Sequence, residues 1–167
     1  MKKARVLLAA PNLLVNEGEL SRIEPPMGLL LFAPLLQQDG HEVLIKDFAL
    51  DGWETLTPFD LKNKRYIRGA TEEYIAKTIS DFNPDILGIS VLYSSLIDSA
   101  KTVARIAKKI NPKITVIVGG NCISNSVVDY KFYLADKLNS GLPDYITHFE
   151  GEDFDYAMTG EAEYPFR

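Results

Sequence analysis

Short apolar runs alternate with helical patterns along most of this chain. The runs at residues 5–10, 42–47, 85–90 and 114–118 predict buried strands, and a shorter fifth strand is expected at 155–159. Polar or irregular stretches are expected at 11–24 and 48–70. The order of the runs therefore predicts five strands, each separated from the next by one helix.

Four helices are expected between these strands. The first opens at Pro25-Pro26 and stops at Gly40; it is apolar nearly all round, which predicts burial, with a kink at Pro34. The next is expected to start at a Thr71 cap, and the last two at Ser95 with Asp98 and at Ser126 with Asp129. The apolar stripes of these three are Ile75, Ile79 and Phe82; Leu96, Ala100, Val103, Ala107 and Ile110; and Val127, Leu134 and Leu138.

Strands that alternate with helices predict an α/β fold with a doubly wound, five-stranded parallel sheet, flavodoxin-like or Rossmann-like. The 167 residues suffice for a single domain with a sizeable core, so residues 1–167 are interpreted as one domain. Ligands of such sheets lie at the carboxyl ends of the strands, where the strand order switches. The loops after the first, third, fourth and fifth strands are therefore expected to share one edge.

Composition narrows the class of protein. Hydrophobic residues make up 46% of the chain, which is typical of a globular domain, and the net charge of −5 argues against a nucleic-acid partner. The longest apolar run, 27–36, contains a proline and is too short to cross a membrane. No signal peptide is visible, so a cytoplasmic location is expected. The single cysteine, Cys122, excludes an internal disulfide and a cysteine-based zinc or iron–sulfur site within these residues.

Small residues follow two neighbouring apolar runs. Ser90, Val91 and Leu92 end the third strand, and Gly119-Gly120 with Asn121 end the fourth. A residue without a Cβ lets a flat ligand approach the backbone. These positions are therefore the first candidates for a binding site.

Five pieces of the chain carry a resemblance to a known family. They are Pro25-Pro26-Met27-Gly28-Leu29, Gly40-His41-Glu42-Val43, the run 84–90, Val118-Gly119-Gly120 and the run 155–163. Their order and spacing resemble the cobalamin-binding domain at the front of B12-dependent radical-SAM enzymes, over nearly the whole chain. The resemblance implies a slot for the nucleotide tail of cobalamin. Its lining is expected from Pro26, Met27, Gly28, Ser90, Val91, Leu92, Gly119, Gly120, Asn121, Gly160 and Glu161.

The first loop departs from the family's pattern. Many members carry Asp-x-His-x-x-Gly there, with the histidine bound to cobalt. If Gly28 is that glycine, Pro25 stands at the histidine position and has no side chain that binds a metal. The resemblance therefore implies no metal ligand from this loop. His41 is interpreted as a surface residue and His148 as remote from cobalt, and no residue is assigned a catalytic role.

The resemblance also implies a function for the parent protein. The chain would hold cobalamin for methyl transfer or a related radical reaction, as in methyltransferases or anaerobic Mg-protoporphyrin ester cyclases. The chain ends on what resembles the start of a helix, so a longer protein is expected. Its downstream radical-SAM domain would supply S-adenosylmethionine, a 4Fe-4S cluster on a Cys-x3-Cys-x2-Cys motif and the site for an unidentified small-molecule substrate.

Other functions are compatible with the same strand pattern. A flavodoxin-like module for FMN or a nucleotide is one, although residues 11–24 lack a glycine-rich phosphate loop. A phosphate-accepting receiver domain is disfavoured, because Asp85 opens its strand rather than ending it. A non-catalytic interaction domain is another alternative. Gly119→Trp or Gly120→Leu is expected to fill the tail slot and to abolish cobalamin retention with little effect on the fold.

Overall fold

The computed structural model describes residues 3–126 and 153–160 of the chain. A 3-10 turn spans Ser94–Leu96, immediately before the helix at 97–110. The elements are β1 Arg5–Ala10, β2 Leu13–Asn16, α1 Met27–Gln38, β3 Glu42–Asp47, α2 Phe48–Asp51, β4 Leu56–Asp60, β5 Arg65–Arg68, α3 Glu72–Phe82, β6 Ile86–Ser90, α4 Ile97–Ile110, β7 Thr115–Gly119, α5 at 121–126 and β8 Tyr156–Ala157.

The main sheet has five parallel strands in the order β3-β1-β6-β7-β8, which confirms the predicted fold class. This is the flavodoxin-like order, with the switch in strand order between β1 and β6. Because all five strands run in one direction, their carboxyl ends meet at one edge. Ala10, Ser90 and Gly119 stand at that edge.

Helices cover the two faces of this sheet unequally. On one face α3 and α4 pack over a large buried cluster that includes Leu7, Ile79 and Leu87. On the other face α1 packs over a smaller cluster. Its buried members are Val6, Leu8, Leu29, Phe32, Ala33 and Leu36.

A second, antiparallel sheet of order β2-β5-β4 was not expected from the sequence. The predictions of a loop at 11–24 and of irregular structure throughout 48–70 are therefore wrong in part. The three strands are short and largely solvent-accessible, so they lack the apolar alternation that marks a half-buried strand. Polar contacts help to hold this sheet in place. The Arg68 guanidinium lies over the ring of Trp53, and Lys64 forms an ion pair with Glu17.

Helix α1 differs from its prediction in burial. It runs through Pro34 and buries one face, but Met27, Leu30 and Leu31 are exposed on the other, so the expectation of burial all round is wrong. The prediction for α3 is confirmed, because the Thr71 hydroxyl accepts from the Tyr74 N–H at 3.3 Å.

Two predicted helix starts are wrong. Helix α4 begins after a 3-10 turn, and its N-cap, Leu96, makes no side-chain cap, so the Ser95/Asp98 pair does not cap it. Its stripe residue Ile110 is 38% exposed at the last turn. Ser126 lies inside α5, where its hydroxyl donates to the Cys122 carbonyl at 2.8 Å. The expected stripe at 127, 134 and 138, with Asp129, lies outside the described residues.

Among the helices of residues 3–126, none combines the length and the apolar character needed to cross a membrane.

Candidate functional site

A cavity of about 190 Å³ opens between α1 and the carboxyl ends of β6, β7 and β8. We call it the glycine-lined cavity. Apolar side chains, among them Leu8, Phe32 and Met158, form much of its remaining wall. It brings together six of the residues chosen from the sequence: Gly28, Ser90, Leu92, Gly119, Gly120 and Gly160. Gly88 also lines it, although the sequence analysis placed this glycine in the run 84–90 without assigning it to the slot.

Two of these glycines leave space that a side chain would fill. A Cβ at Gly28 would meet no atom within 4 Å, and one at Gly119 would lie 3.6 Å from the Met158 carbonyl oxygen, an ordinary contact. Neither has a positive φ. The backbone therefore does not require glycine at either position, and the missing side chains keep the cavity open.

Gly120 has a different role. Its φ is +111°, and a Cβ there would lie 2.6 Å from the carbonyl oxygen of Val91. Any side chain would be strained and would clash with the backbone. The expectation that Gly120→Leu leaves the fold nearly unchanged is therefore wrong, and Gly120 is a structural residue in the cavity wall.

Val91 forms the backbone link between the two loops. Its N–H donates to the Gly119 carbonyl at 2.7 Å, and its carbonyl accepts from the Cys122 N–H at 3.2 Å. Its side chain is fully buried in the cluster beneath α4, so it does not contribute to the cavity wall. Its part in the site is to hold the ends of β6 and β7 together.

Ser90 and Leu92 form a ridge at the carboxyl edge. The half-buried Ser90 hydroxyl has no hydrogen-bond partner among residues 3–126 and 153–160, and the Leu92 side chain is largely exposed. Both residues line the glycine-lined cavity on one side and a second cavity on the other. The ridge therefore offers one free hydroxyl and an apolar surface to a ligand lying across it.

The second cavity, of about 220 Å³, lies beside Pro26 and the carboxyl end of β1. We call it the charged cavity, because Arg22, Glu24 and Asp47 line it. Sequence reasoning selected only Pro26, Ser90 and Leu92 among its residues. Arg22 and Glu24 belong to the loop before α1, and Asp47 ends β3. No motif connects these two segments, so no sequence signal joined them.

Asp47 occupies the end of β3 in this cavity. Its Oδ1 accepts from the Leu50 N–H at 3.1 Å and so caps the short helix α2. Burial raises the pKa of Asp47 above its ordinary value, because the charged form loses solvation, while backbone hydrogen bonds oppose that rise.

Asn121 lies in a third depression at the same edge, of about 280 Å³, which also has Leu92 and Tyr93 in its wall. Cys122 lines this depression but is largely buried. Burial raises the pKa of the Cys122 thiol, and the hydrogen bond with Ser126 lowers it less. Because the thiolate is the nucleophilic form of cysteine, this raised pKa lowers the reactivity of Cys122 at neutral pH.

The outer wall of the glycine-lined cavity comes from the segment around the short edge strand β8. Asp155 anchors it: its Oδ2 accepts from the Val116 N–H at 2.7 Å and from the Lys108 ammonium group. Burial alone would raise the pKa of Asp155, but these hydrogen bonds lower it below its ordinary value. At the other end of the segment the Gly160 N–H donates to the Ser124 hydroxyl at 3.0 Å.

Of the remaining candidates, Met27 and His41 do not line these cavities. Met27 is 57% exposed and lines none of the three, and Glu161 and His148 lie outside the described residues. His41 precedes β3 at the opposite edge of the sheet, where its Nδ1 accepts from the Ala4 N–H at 3.1 Å. Within the described ranges, no three His, Cys, Asp or Glu side chains are grouped to hold a metal ion.

Two curated proteins are similar in sequence to this chain. The cytidylyl-2-hydroxyethylphosphonate methyltransferase of Streptomyces wedmorensis is 29% identical over 116 residues, which cover 70% of this chain. An uncharacterized methyltransferase of Pyrococcus horikoshii is 36% identical over 124 residues, which cover 72% of it. The chain spans 22% of the length of each relative.

A crystal structure and a sequence family give the remaining comparisons. The structure of a cobalamin-binding protein from Desulfitobacterium hafniense superimposes with a TM-score of 0.50 at 18% identity, covering 97% of this chain and 56% of that one. At that identity the likeness supports the fold. Residues 15–137 match the family described as B12 binding domain. Because that match covers most of the chain, the protein belongs to the B12-binding domain family.

Proposed function

We propose that residues 1–167 form one cobalamin-binding unit that presents the cofactor to a radical-SAM domain of a longer protein. The nucleotide tail would lie in the glycine-lined cavity and the corrin ring across the carboxyl edge of the sheet. The family match and the cavity support the binding of cobalamin. The methyltransferase relatives, of which the chain spans 22%, support methyl transfer or a related radical reaction.

The observation that carries the proposal is the space left open at Gly28 and Gly119. A flat aromatic base fits between α1 and the sheet because no side chain projects from these two positions. Apolar neighbours such as Phe32 and Ile117 would remove the faces of the base from water. The Ser90 hydroxyl would donate to a ring nitrogen that is otherwise left unpaired on burial.

The role of this chain is to hold and orient the cofactor. When bound, cobalamin supplies a cobalt centre that accepts and releases a methyl group. If Gly28 is the glycine of the family's Asp-x-His-x-x-Gly pattern, Pro25 stands at the histidine position and has no side chain that binds a metal. The residues that line the glycine-lined cavity would hold the tail, and the ridge of Ser90 and Leu92 would contact the rest of the cofactor where it leaves that cavity.

The rest of the reaction requires residues beyond this chain. Cys122 is the only cysteine of the 167 residues, and it is largely buried, so an iron–sulfur cluster needs cysteines from elsewhere. We therefore expect this chain alone to bind cobalamin without turnover. S-adenosylmethionine and the substrate would bind to the downstream domain.

Reconstitution with hydroxocobalamin tests the binding function. After mixing and desalting, the wild-type chain is expected to retain the visible corrinoid spectrum, and Gly119→Trp to lose it because the indole fills the cavity. Gly119→Ala and His41→Ala serve as matched controls that keep the spectrum. Circular dichroism of each variant separates loss of binding from loss of fold.

Three outcomes would contradict parts of the proposal. A wild-type chain that elutes without corrinoid refutes cobalamin binding, and retention of FMN instead would favour the flavodoxin-like alternative. Equal retention by folded Gly119→Trp would place the tail elsewhere. A parent gene without a downstream Cys-x3-Cys-x2-Cys motif would refute the radical-SAM partner while leaving the binding function intact.

A further inference from the structure

The charged cavity lies next to the proposed tail site and has no role in holding the tail. We propose that it receives carboxamide arms of the corrin ring and so makes the chain selective for fully amidated corrinoids. This inference rests on the proposed function, because it concerns the same bound cofactor.

Continuity of the two cavities supports this assignment. Both are lined by Ser90 and Leu92, so a ligand that leaves the glycine-lined cavity over this ridge enters the charged cavity directly. The corrin ring of cobalamin carries acetamide and propionamide arms around its rim. A volume of about 220 Å³ gives space for such arms beside Pro26.

The charges in this cavity are unpaired within the described part of the chain. Neither the Arg22 guanidinium nor the Glu24 carboxylate forms a hydrogen bond or ion pair with residues 3–126 or 153–160, although both line the same cavity. Arg22 can only donate hydrogen bonds, and ionised Glu24 can only accept them. A primary carboxamide has both an N–H₂ donor and a carbonyl acceptor, so it complements each of them.

Asp47 adds a second acceptor. Its carboxylate accepts hydrogen bonds from the backbone N–H groups of Leu50 and Ala49. A carboxylate has about four lone-pair sites, so acceptor capacity remains for a ligand. Arg22 and Glu24 are solvent-exposed at the mouth of this cavity, while the buried Ala49 and Leu96 line its inner part. A polar arm that reaches the inner part exchanges some of its water for partners from the protein. Two carboxylates and one guanidinium leave the cavity with an excess of acceptors.

This excess disfavours a carboxylate arm. A carboxylate at neutral pH has no hydrogen to donate to Glu24 or Asp47, and its charge repels theirs. Arg22 can compensate for only part of that repulsion. The cavity therefore favours amides over acids at the arms that reach it.

Affinity for defined corrinoids tests the selectivity. Cobalamin and its b-, d- and e-monocarboxylic derivatives would be compared by equilibrium dialysis with the wild-type chain. At least one derivative is expected to bind about tenfold more weakly than cobalamin. Glu24→Gln or Asp47→Asn is expected to reduce that difference, since each replaces a carboxylate with an amide that can donate. Glu54→Gln, outside the charged cavity, is the control that leaves it unchanged.

The outcomes separate this inference from the proposed function. If cobalamin binds and every derivative binds within about twofold of it, the selectivity is refuted and the tail site stands. A weaker derivative whose deficit persists in both Glu24→Gln and Asp47→Asn also refutes the role of the charged cavity. If the wild-type chain binds no cobalamin, both proposals fail.

Discussion

The two faces of the parallel sheet are packed in different ways. Toward α3 and α4, strand residues such as Leu87, Val116 and Val118 are completely buried in a continuous cluster. Toward α1, the same two strands carry Gly88 and Gly119 near their carboxyl ends, and the glycine-lined cavity remains. One face stabilises the fold, and the other is left incomplete where a ligand can enter. Substitutions on the two faces should therefore separate stability from binding.

The largest effect on stability is expected on the packed face. Ile79→Ala removes a fully buried side chain from the cluster under α3 and should lower the free energy of unfolding by about 2–5 kcal/mol. Urea denaturation measures this loss. Ile110→Ala, at a partly exposed position, is the control and should cost about 1 kcal/mol or less. A smaller loss for Ile79→Ala than for Ile110→Ala would contradict the assignment of Ile79 to the centre of the packed face.

A smaller but distinctive effect is expected from the adjacent glycines at the end of β7. Gly120→Ala combines a positive φ with a clash at the Val91 carbonyl and should cost about 2 kcal/mol or more. Gly119→Ala has neither problem and should change stability by about 0.5 kcal/mol or less. Thermal unfolding followed by circular dichroism compares the two. Equal destabilisation by the two substitutions would show that the backbone at position 120 does not require glycine.

The smallest change in stability, with loss of function, is expected at Gly28. Gly28→Leu adds a side chain where a Cβ meets no atom within 4 Å, and leucine favours a helix over glycine by about 0.5–1 kcal/mol. Stability should therefore stay the same or rise while hydroxocobalamin retention falls. Gly28→Ala is the matched control with nearly unchanged retention. Full retention by Gly28→Leu would exclude this side of the cavity from the tail site.

The centre of the main sheet was predictable because β1, β6 and β7 are largely buried and their sequences are nearly continuous apolar runs. The second sheet was not, because β2 pairs with a strand far away in the sequence and, apart from the buried Val15, the residues of its three strands are exposed or half-buried. Exposed strands carry little pattern, so tertiary pairing decides their structure. The exposure of Leu30 and Leu31 on α1 likewise depends on packing that the helical pattern does not contain.

The candidate site was predictable where it depends on strand ends. Gly119 and Ser90 were found because small residues follow apolar runs. Gly120 was selected because it lacks a side chain that would fill the slot. The structure instead requires glycine there for a positive φ, which the sequence pattern does not reveal. Arg22, Glu24 and Asp47 were missed because only the fold brings their segments to one cavity.

The double backbone link at Val91 has a further consequence for recognition. Because this residue is hydrogen-bonded both to Gly119 and to Cys122, the loops after β6 and β7 are fixed to each other before any ligand arrives. The entropy of ordering them is thus lost during folding rather than on association. A preorganised surface of this kind keeps more of the contact energy available as affinity.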